Sequence, residues 1–205
     1  FGVLAVHAIR SARVWRLILR HPRSKFTIPP ICRYPSATES RMTNPLLATT
    51  GLPRFSAILP EHVEPAIDAI LADYQAGIDV LVASTGPRTF DAVIGVGELL
   101  DDRLSRAWAP VSHLHGVKDS EALREAYSAA QEKIVEFTTA LGQNRDLYAA
   151  VKAVRESADF DALPRAARTL VEHELRDFVL AGVALEEPAR SRYREISSEL
   201  AKLST

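Results

Sequence analysis

From Pro60 onward, apolar residues recur every three or four positions through most of the chain, in runs separated by proline, glycine and capping residues. That spacing lines them up along one side of a 3.6-residue helix, and a succession of such stripes can be buried only against one another. Leu59-Pro60-Glu61-His62 opens the first run, with a proline and an acid where a first turn favours both. Val63, Ile67, Ile70, Leu71, Tyr74, Ile78, Leu81 and Val82 follow on one face, with Glu61, Asp68, Asp73 and Asp79 off it, and Gly86-Pro87 ends the run.

Thr89 is placed to cap a second helix whose stripe is Phe90, Val93, Val96, Leu100, Leu104, Ala107, Trp108 and Val111. Asp102, Arg103 and Arg106 are expected to face away from it. Pro110 has no amide hydrogen, so this helix is expected to kink or stop within a turn before it. Asp119 or Ser120 caps a third helix with Leu123, Tyr127, Ala130, Ile134, Phe137 and Leu141 inward and Gly142 closing it. Asn144 caps a short fourth through Leu147, Val151 and Val154, and Asp159–Pro164 is a turn. A fifth, opened by Pro164, turns Ala167, Leu170, Val171, Leu175 and Phe178 inward and ends at Gly182. A last one starts near Pro188 and runs through Tyr193, Ile196, Leu200 and Leu203 with no stop signal, which reads as truncation. No alternating β pattern, fixed-period repeat or low-complexity tract accompanies these runs. The expectation is an all-α fold of about five to six amphipathic helices.

Before Pro60 the character differs. Residues 1–41 carry eight Lys/Arg against one acid, and the remainder 17 against 25, so a leader of charge +7 precedes a body of charge −8. Within the leader Arg10, Arg13, Arg16 and Arg20 lie opposite Leu4, Val14, Trp15, Leu17 and Ile18, the look of an organellar transit peptide. The other reading is non-native upstream sequence, since the single methionine, Met42, opens MTNPLL. Prolines at 22, 29, 30, 35, 45 and 53 make residues 22–58 irregular and partly disordered, with 42–58 the irregular segment that follows the leader and 59–205 the helical domain. The acidic body offers no basic stripe for nucleic acid. Cys32 alone forms no intrachain disulfide or multi-cysteine metal site. No apolar run reaches the roughly 18 residues of a membrane span.

The search for chemistry returns two weak candidates. A zinc peptidase needs two histidines one helical turn apart, in H-E-x-x-H. His173-Glu174-Leu175-Arg176-Asp177 has Asp in the fifth place, and its Glu174 falls on the apolar stripe; an ordinary helix surface with a partly buried acid accounts for it. His113 and His115 would point the same way if extended, but lack a third ligand nearby, and read as loop or helix-end residues. Trp108 and Tyr127 fall on stripes and are expected in the core rather than as substrate anchors. No catalytic or metal-binding residue is assigned, and substrate-binding residues are left open.

Several stretches together resemble the N-terminal region of the thimet oligopeptidase family of zinc peptidases: Ile58-Leu59-Pro60-Glu61-His62-Val63-Glu64-Pro65-Ala66, Gly95-Val96-Gly97-Glu98-Leu99-Leu100, Trp108-Ala109-Pro110-Val111-Ser112-His113-Leu114, Val117-Lys118, Leu123-Arg124-Glu125-Ala126-Tyr127 and Leu175-Arg176-Asp177-Phe178. The resemblance runs from about Met42 to Thr205 and departs at Glu186-Glu187-Pro188, where the family places proline directly after the leucine. It implies an all-helical, two-lobed peptidase with a deep channel, acting on short peptides. It also implies one zinc ion on an H-E-x-x-H helix far downstream, with ligands outside this chain, and as partner a C-terminal catalytic domain of the same chain. The compartment implied is the cytoplasm, or an organelle if residues 1–41 are a true transit peptide. The reading that competes is a stand-alone helical interaction domain without catalysis.

Overall fold

A computed structural model describes residues 44–118 and 120–203; the leader, and Asp119 as a cap, lie outside them. Among the described residues there are six α-helices and no strand: α1 (Val63–Ala83), α2 (Val96–Val117), α3 (Glu121–Gly142), α4 (Arg145–Arg155), α5 (Arg165–Leu180) and α6 (Ala189–Leu203). None is long and apolar enough to cross a membrane.

The caps sit where local chemistry puts them. Thr89 Oγ1 accepts from the Ala92 amide at 3.2 Å, Ser120 Oγ from Leu123 at 3.2 Å, and Asn144 Oδ1 from Asp146 and Leu147 at 3.0 and 2.9 Å. Each satisfies an amide that the first helical turn leaves without a partner. At the end of α5, Gly182 has φ +84°. Its amide donates to the Val179 carbonyl and that of Val183 to the Phe178 carbonyl, both at 3.1 Å, the paired closure that a left-handed glycine permits. The Glu187–Pro188 peptide is cis.

Paired contacts set the topology. Tyr74 bonds Asp101 and Gly77 faces Leu100, so α1 and α2 run antiparallel. A Cβ on Gly77 would meet both Leu100 methyls at 3.0 Å, which is why these helices can approach so closely there. Lys133 bridges Glu64 and Asp68 at 3.1 and 2.7 Å, and Phe137 meets Tyr74 edge-on with ring centroids 5.1 Å apart, so α3 runs alongside α1 in the same direction. The core has two parts. One joins the first half of α1 (Val63, Ile67, Ile70), the second half of α2 (Leu104, Trp108, Val111, Leu114) and Leu123, Ala130 and Ile134 of α3. The other joins Tyr74, Ile78 and Leu81 to Val93, Ile94 and Val96, with α4, α5 and Val183 closing that end. α6 returns along α3, with Lys202 paired to Glu132 at 3.0 Å.

Three expectations are corrected. Helix α2 continues through Pro110 to Val117 rather than stopping before it. Pro110 withholds one donor from the carbonyl of Arg106, an exposed residue that water can reach, while Val111 and Leu114 beyond the proline are buried and hold the helix in register. Packing overrides the local cost. The helix also starts with a π-helical turn, Asp91–Gly95, which brings Ile94 into the core beside Val93 and Val96.

The second correction concerns Arg103, which is buried at 8 % exposure rather than facing away. Its guanidinium donates to the Leu47 carbonyl at 2.9 Å and the Ala48 carbonyl at 3.4 Å. The third concerns residues 44–58. They carry two 3₁₀ turns, Pro45–Leu47 and Phe55–Ala57, with Leu46 and Ile58 buried. Asn44 caps the first turn through Leu46 and donates to the His62 carbonyl at 2.8 Å, tying the segment to the start of α1.

Candidate functional site

The His173 face of α5 was the sequence's nearest approach to a metal site. His173, Glu174 and Asp177 are each half-buried. Asp177 Oδ1 accepts from Nε and Nη2 of its neighbour Arg176 at 3.1 and 2.9 Å, which occupies the carboxylate that would stand for a second histidine. Glu174 faces inward, as its place on the stripe indicated, close enough to act electrostatically on the buried Tyr74. The three side chains therefore do not converge on a common point. Among the described residues, no group of three or more His, Cys, Asp or Glu is arranged to hold a metal ion.

His113 and His115 lie in the last turns of α2, where residues two apart point to nearly opposite sides. His113 meets Phe55 edge-on at 5.4 Å between centroids. His115 stacks on Tyr127 at 4.1 Å and an interplanar angle of 10°. Tyr127 in turn stacks on Trp108 at 4.7 Å and 23°. Trp108 is 7 % exposed and Tyr127 packs half-buried against the same core. Both aromatics thus belong to the α2–α3 interface, with His115 covering the outer end of the column. His62 Nδ1 accepts from the Leu59 amide at 3.1 Å, closing the turn that leads into α1.

Two groupings escaped the sequence reading. The Tyr74 hydroxyl donates to Asp101 Oδ1 at 2.7 Å, linking α1 to α2 inside the bundle. Burial pushes the Tyr74 phenol well above its ordinary value, and the negative charge of Asp101, Glu174 and Glu98 adds to the shift. A group whose folded-state pKa is raised stabilises the fold fully below its unfolded-state value, about 10 for tyrosine, and that contribution is lost as pH climbs above it. Tyr74 should therefore ionise only with alkaline unfolding when followed by near-UV absorbance, and Tyr74→Phe should remove that late step. Five tyrosines titrating together near the ordinary value would contradict the burial. The second grouping is Arg88, whose guanidinium donates to the carbonyls of Leu81, Val82 and Ser84 at 2.6, 2.9 and 2.8 Å. It caps the C-terminus of α1, where exposed carbonyls and the helix dipole favour a cation. Tyr74 lay on the first apolar stripe and Arg88 in the turn after it, and neither residue's identity names its partner.

The described part of the molecule is thus a helical scaffold whose polar groups tie helix to helix. Its sequence matches the model of the neurolysin/thimet oligopeptidase N-terminal domain over residues 67–190, a span that takes in α1 from Ile67 through α5 and stops as α6 begins. It is 40% identical over 164 residues to oligopeptidase A of Haemophilus influenzae, covering 80% of this chain and 24% of that protein. It is 36% identical over 169 residues to a probable cytosolic oligopeptidase A of Arabidopsis thaliana (82% and 24%). To the organellar, chloroplastic/mitochondrial oligopeptidase A of the same plant it is 37% identical over 166 residues (81% and 21%). The chain spans about a quarter of the length of these relatives. A match of this extent, falling on the helices just described, makes the chain a member of the neurolysin/thimet oligopeptidase family, within that family's N-terminal domain.

Proposed function

We propose that this chain is the helical N-terminal part of a zinc metallo-oligopeptidase that hydrolyses short peptides, and that it works as a wall of the peptide channel beside a catalytic domain of the same protein. The observation that carries the proposal is the family-domain match over residues 67–190. The zinc that this chemistry calls for does not fit the residues described: Asp177 is engaged by Arg176, His113 and His115 stand on different sides of α2, and no three His, Cys, Asp or Glu among the described residues converge. The metal, and the glutamate that would activate water against the peptide carbonyl, are assigned to an H-E-x-x-H helix in the catalytic domain. The compartment proposed is the cytoplasm, with an organelle as the alternative if residues 1–41 act as a transit peptide.

Zinc titration by calorimetry and a quenched-fluorescent peptide assay test the proposal together. This chain is expected to show neither stoichiometric zinc binding nor turnover. The protein carrying the catalytic domain is expected to cleave the peptide, to lose that activity to a chelator and to regain it with zinc. Stoichiometric zinc binding by this chain, lost in His173→Ala and accompanied by turnover, would overturn the assignment and make His173 and Glu174 a true site. A longer protein that never cleaves would favour the stand-alone interaction domain.

A further inference from the structure

We infer that the outer face of α2, with residues 48–57 laid along it, is a docking surface for short acidic peptides that carry apolar side chains. The inference rests on the peptidase reading for the source of the peptide alone; the surface itself is complete in this chain. Its charge sets it apart. Residues 44–60 and 103–118 hold four Lys/Arg and no Asp or Glu, with Glu61 and Asp119 closing the two stretches, in a body that sums to −8 from residue 42 onward. The fold brings the two stretches together. Arg106 donates to the Gly51 carbonyl at 3.2 Å, and two turns further on His113 meets the Phe55 ring at 5.4 Å between centroids. Residues seven apart lie on one side of a helix, so residues 51–55 follow that side of α2. Val117 continues it one turn past His113.

Arg54, Arg106 and Lys118 are the exposed cations of this face. Among the described residues none of the three meets a carboxylate, whereas Lys133, Arg145, Arg155 and Arg192 elsewhere each pair with one. Arg54 stands between Leu52 and Phe55 in the chain, and Lys118 follows Val117. Those three apolar side chains are exposed at 91, 41 and 67 %. Exposed apolar groups beside cations that lack a carboxylate of their own are complemented by a segment that offers both: its acids meet the cations while its apolar side chains cover Leu52, Phe55 and Val117. Three cations are too few to grip a nucleic-acid backbone. The negative charge of the body as a whole opposes an anionic membrane. A peptide is therefore the occupant that the charge pattern favours.

Fluorescence anisotropy of a short dye-labelled peptide that alternates glutamate with leucine, titrated with the full chain, tests this. Saturable binding is expected. It should weaken as salt rises from roughly 0.05 to 0.5 M and vanish when lysine replaces each glutamate. Arg54→Ala, Arg106→Ala and Lys118→Ala should each weaken it about two- to five-fold. Val117→Ser should weaken it as well, and the thermal midpoint should hold in all four variants because the side chains are exposed. Lys152→Ala, which removes a cation already paired with Glu156, should leave binding unchanged. A peptide that stays free, binds regardless of salt, or binds the three cation variants as well as the parent chain would overturn the inference. So would a chain that leaves the peptide free and takes up phosphatidylserine-containing vesicles, which would make the face a membrane contact. If the protein carrying the catalytic domain cleaves peptides while this chain does not bind the acidic one, the docking surface fails and the peptidase reading stands.

Discussion

Trp108→Ala is expected to lower the unfolding free energy by about 3–5 kcal/mol, the usual cost of emptying a buried tryptophan site. The ring is 7 % exposed and lies where the second half of α2 meets α1 and α3, among Ile70, Leu104, Val111 and Ile134. One face is covered by Tyr127 at 4.7 Å. None of these neighbours is free to collapse into the space: Ile70 and Ile134 are themselves fully packed, and Tyr127 is held on its other side by His115. The loss should appear in denaturant midpoints without a change in slope. A double-mutant cycle with Tyr127→Ala should return about 0.5–1.5 kcal/mol of coupling for the stacked pair. A Trp108→Ala cost under about 1 kcal/mol would place the ring at the surface and return it to the role of substrate anchor.

The position of Trp108 was legible from the sequence, and the reason shows what periodicity can and cannot carry. Ile67, Ile70, Tyr74 and Ile78 repeat so regularly that one helix with one buried face is the only economical reading, and all four are buried. Caps are equally local, so Thr89, Ser120, Asn144 and Gly182 announced themselves. What stayed hidden depended on partners distant in sequence. Pro110 carries a strong local signal to stop, and only the burial of Val111 and Leu114 beyond it overrules that signal. Arg103 reads as a solvent-facing charge because its acceptors are backbone carbonyls some 55 residues earlier, and backbone acceptors leave no trace in residue identity. The candidate site behaved likewise. The stripe predicted a partly buried Glu174, but not that its charge would act on Tyr74, which bonds Asp101 of a third helix.

Arg103 also gives the second large effect. Arg103→Ala should cost about 2–3 kcal/mol, since hydrogen bonds from a charged donor are among the stronger ones and the buried stem of the side chain is lost with them. The loss should be local before it is global. Among the described residues the segment before α1 is held by Arg103 to Leu47 and Ala48, Asn44 to His62, Arg106 to Gly51, the ring contact of Phe55 with His113, and the burial of Leu46 and Ile58. Arg103 is the tie that reaches it through a buried, charged side chain of α2. Freed from that grip, residues 48–57, all of them exposed, should become a good protease substrate, and tryptic cleavage after Arg54 should accelerate well before the helices unfold. Arg103→Met separates the two contributions: it keeps an apolar stem in the site but donates nothing, so stability should recover in part while cleavage at Arg54 stays fast. Arg106→Ala is the control, because that guanidinium is exposed and makes a single 3.2 Å bond to Gly51. If Arg103→Ala were no more damaging than Arg106→Ala by either measure, the buried guanidinium would not be what fastens the segment to α2, and Leu46 and Ile58 would have to hold it by apolar contact alone.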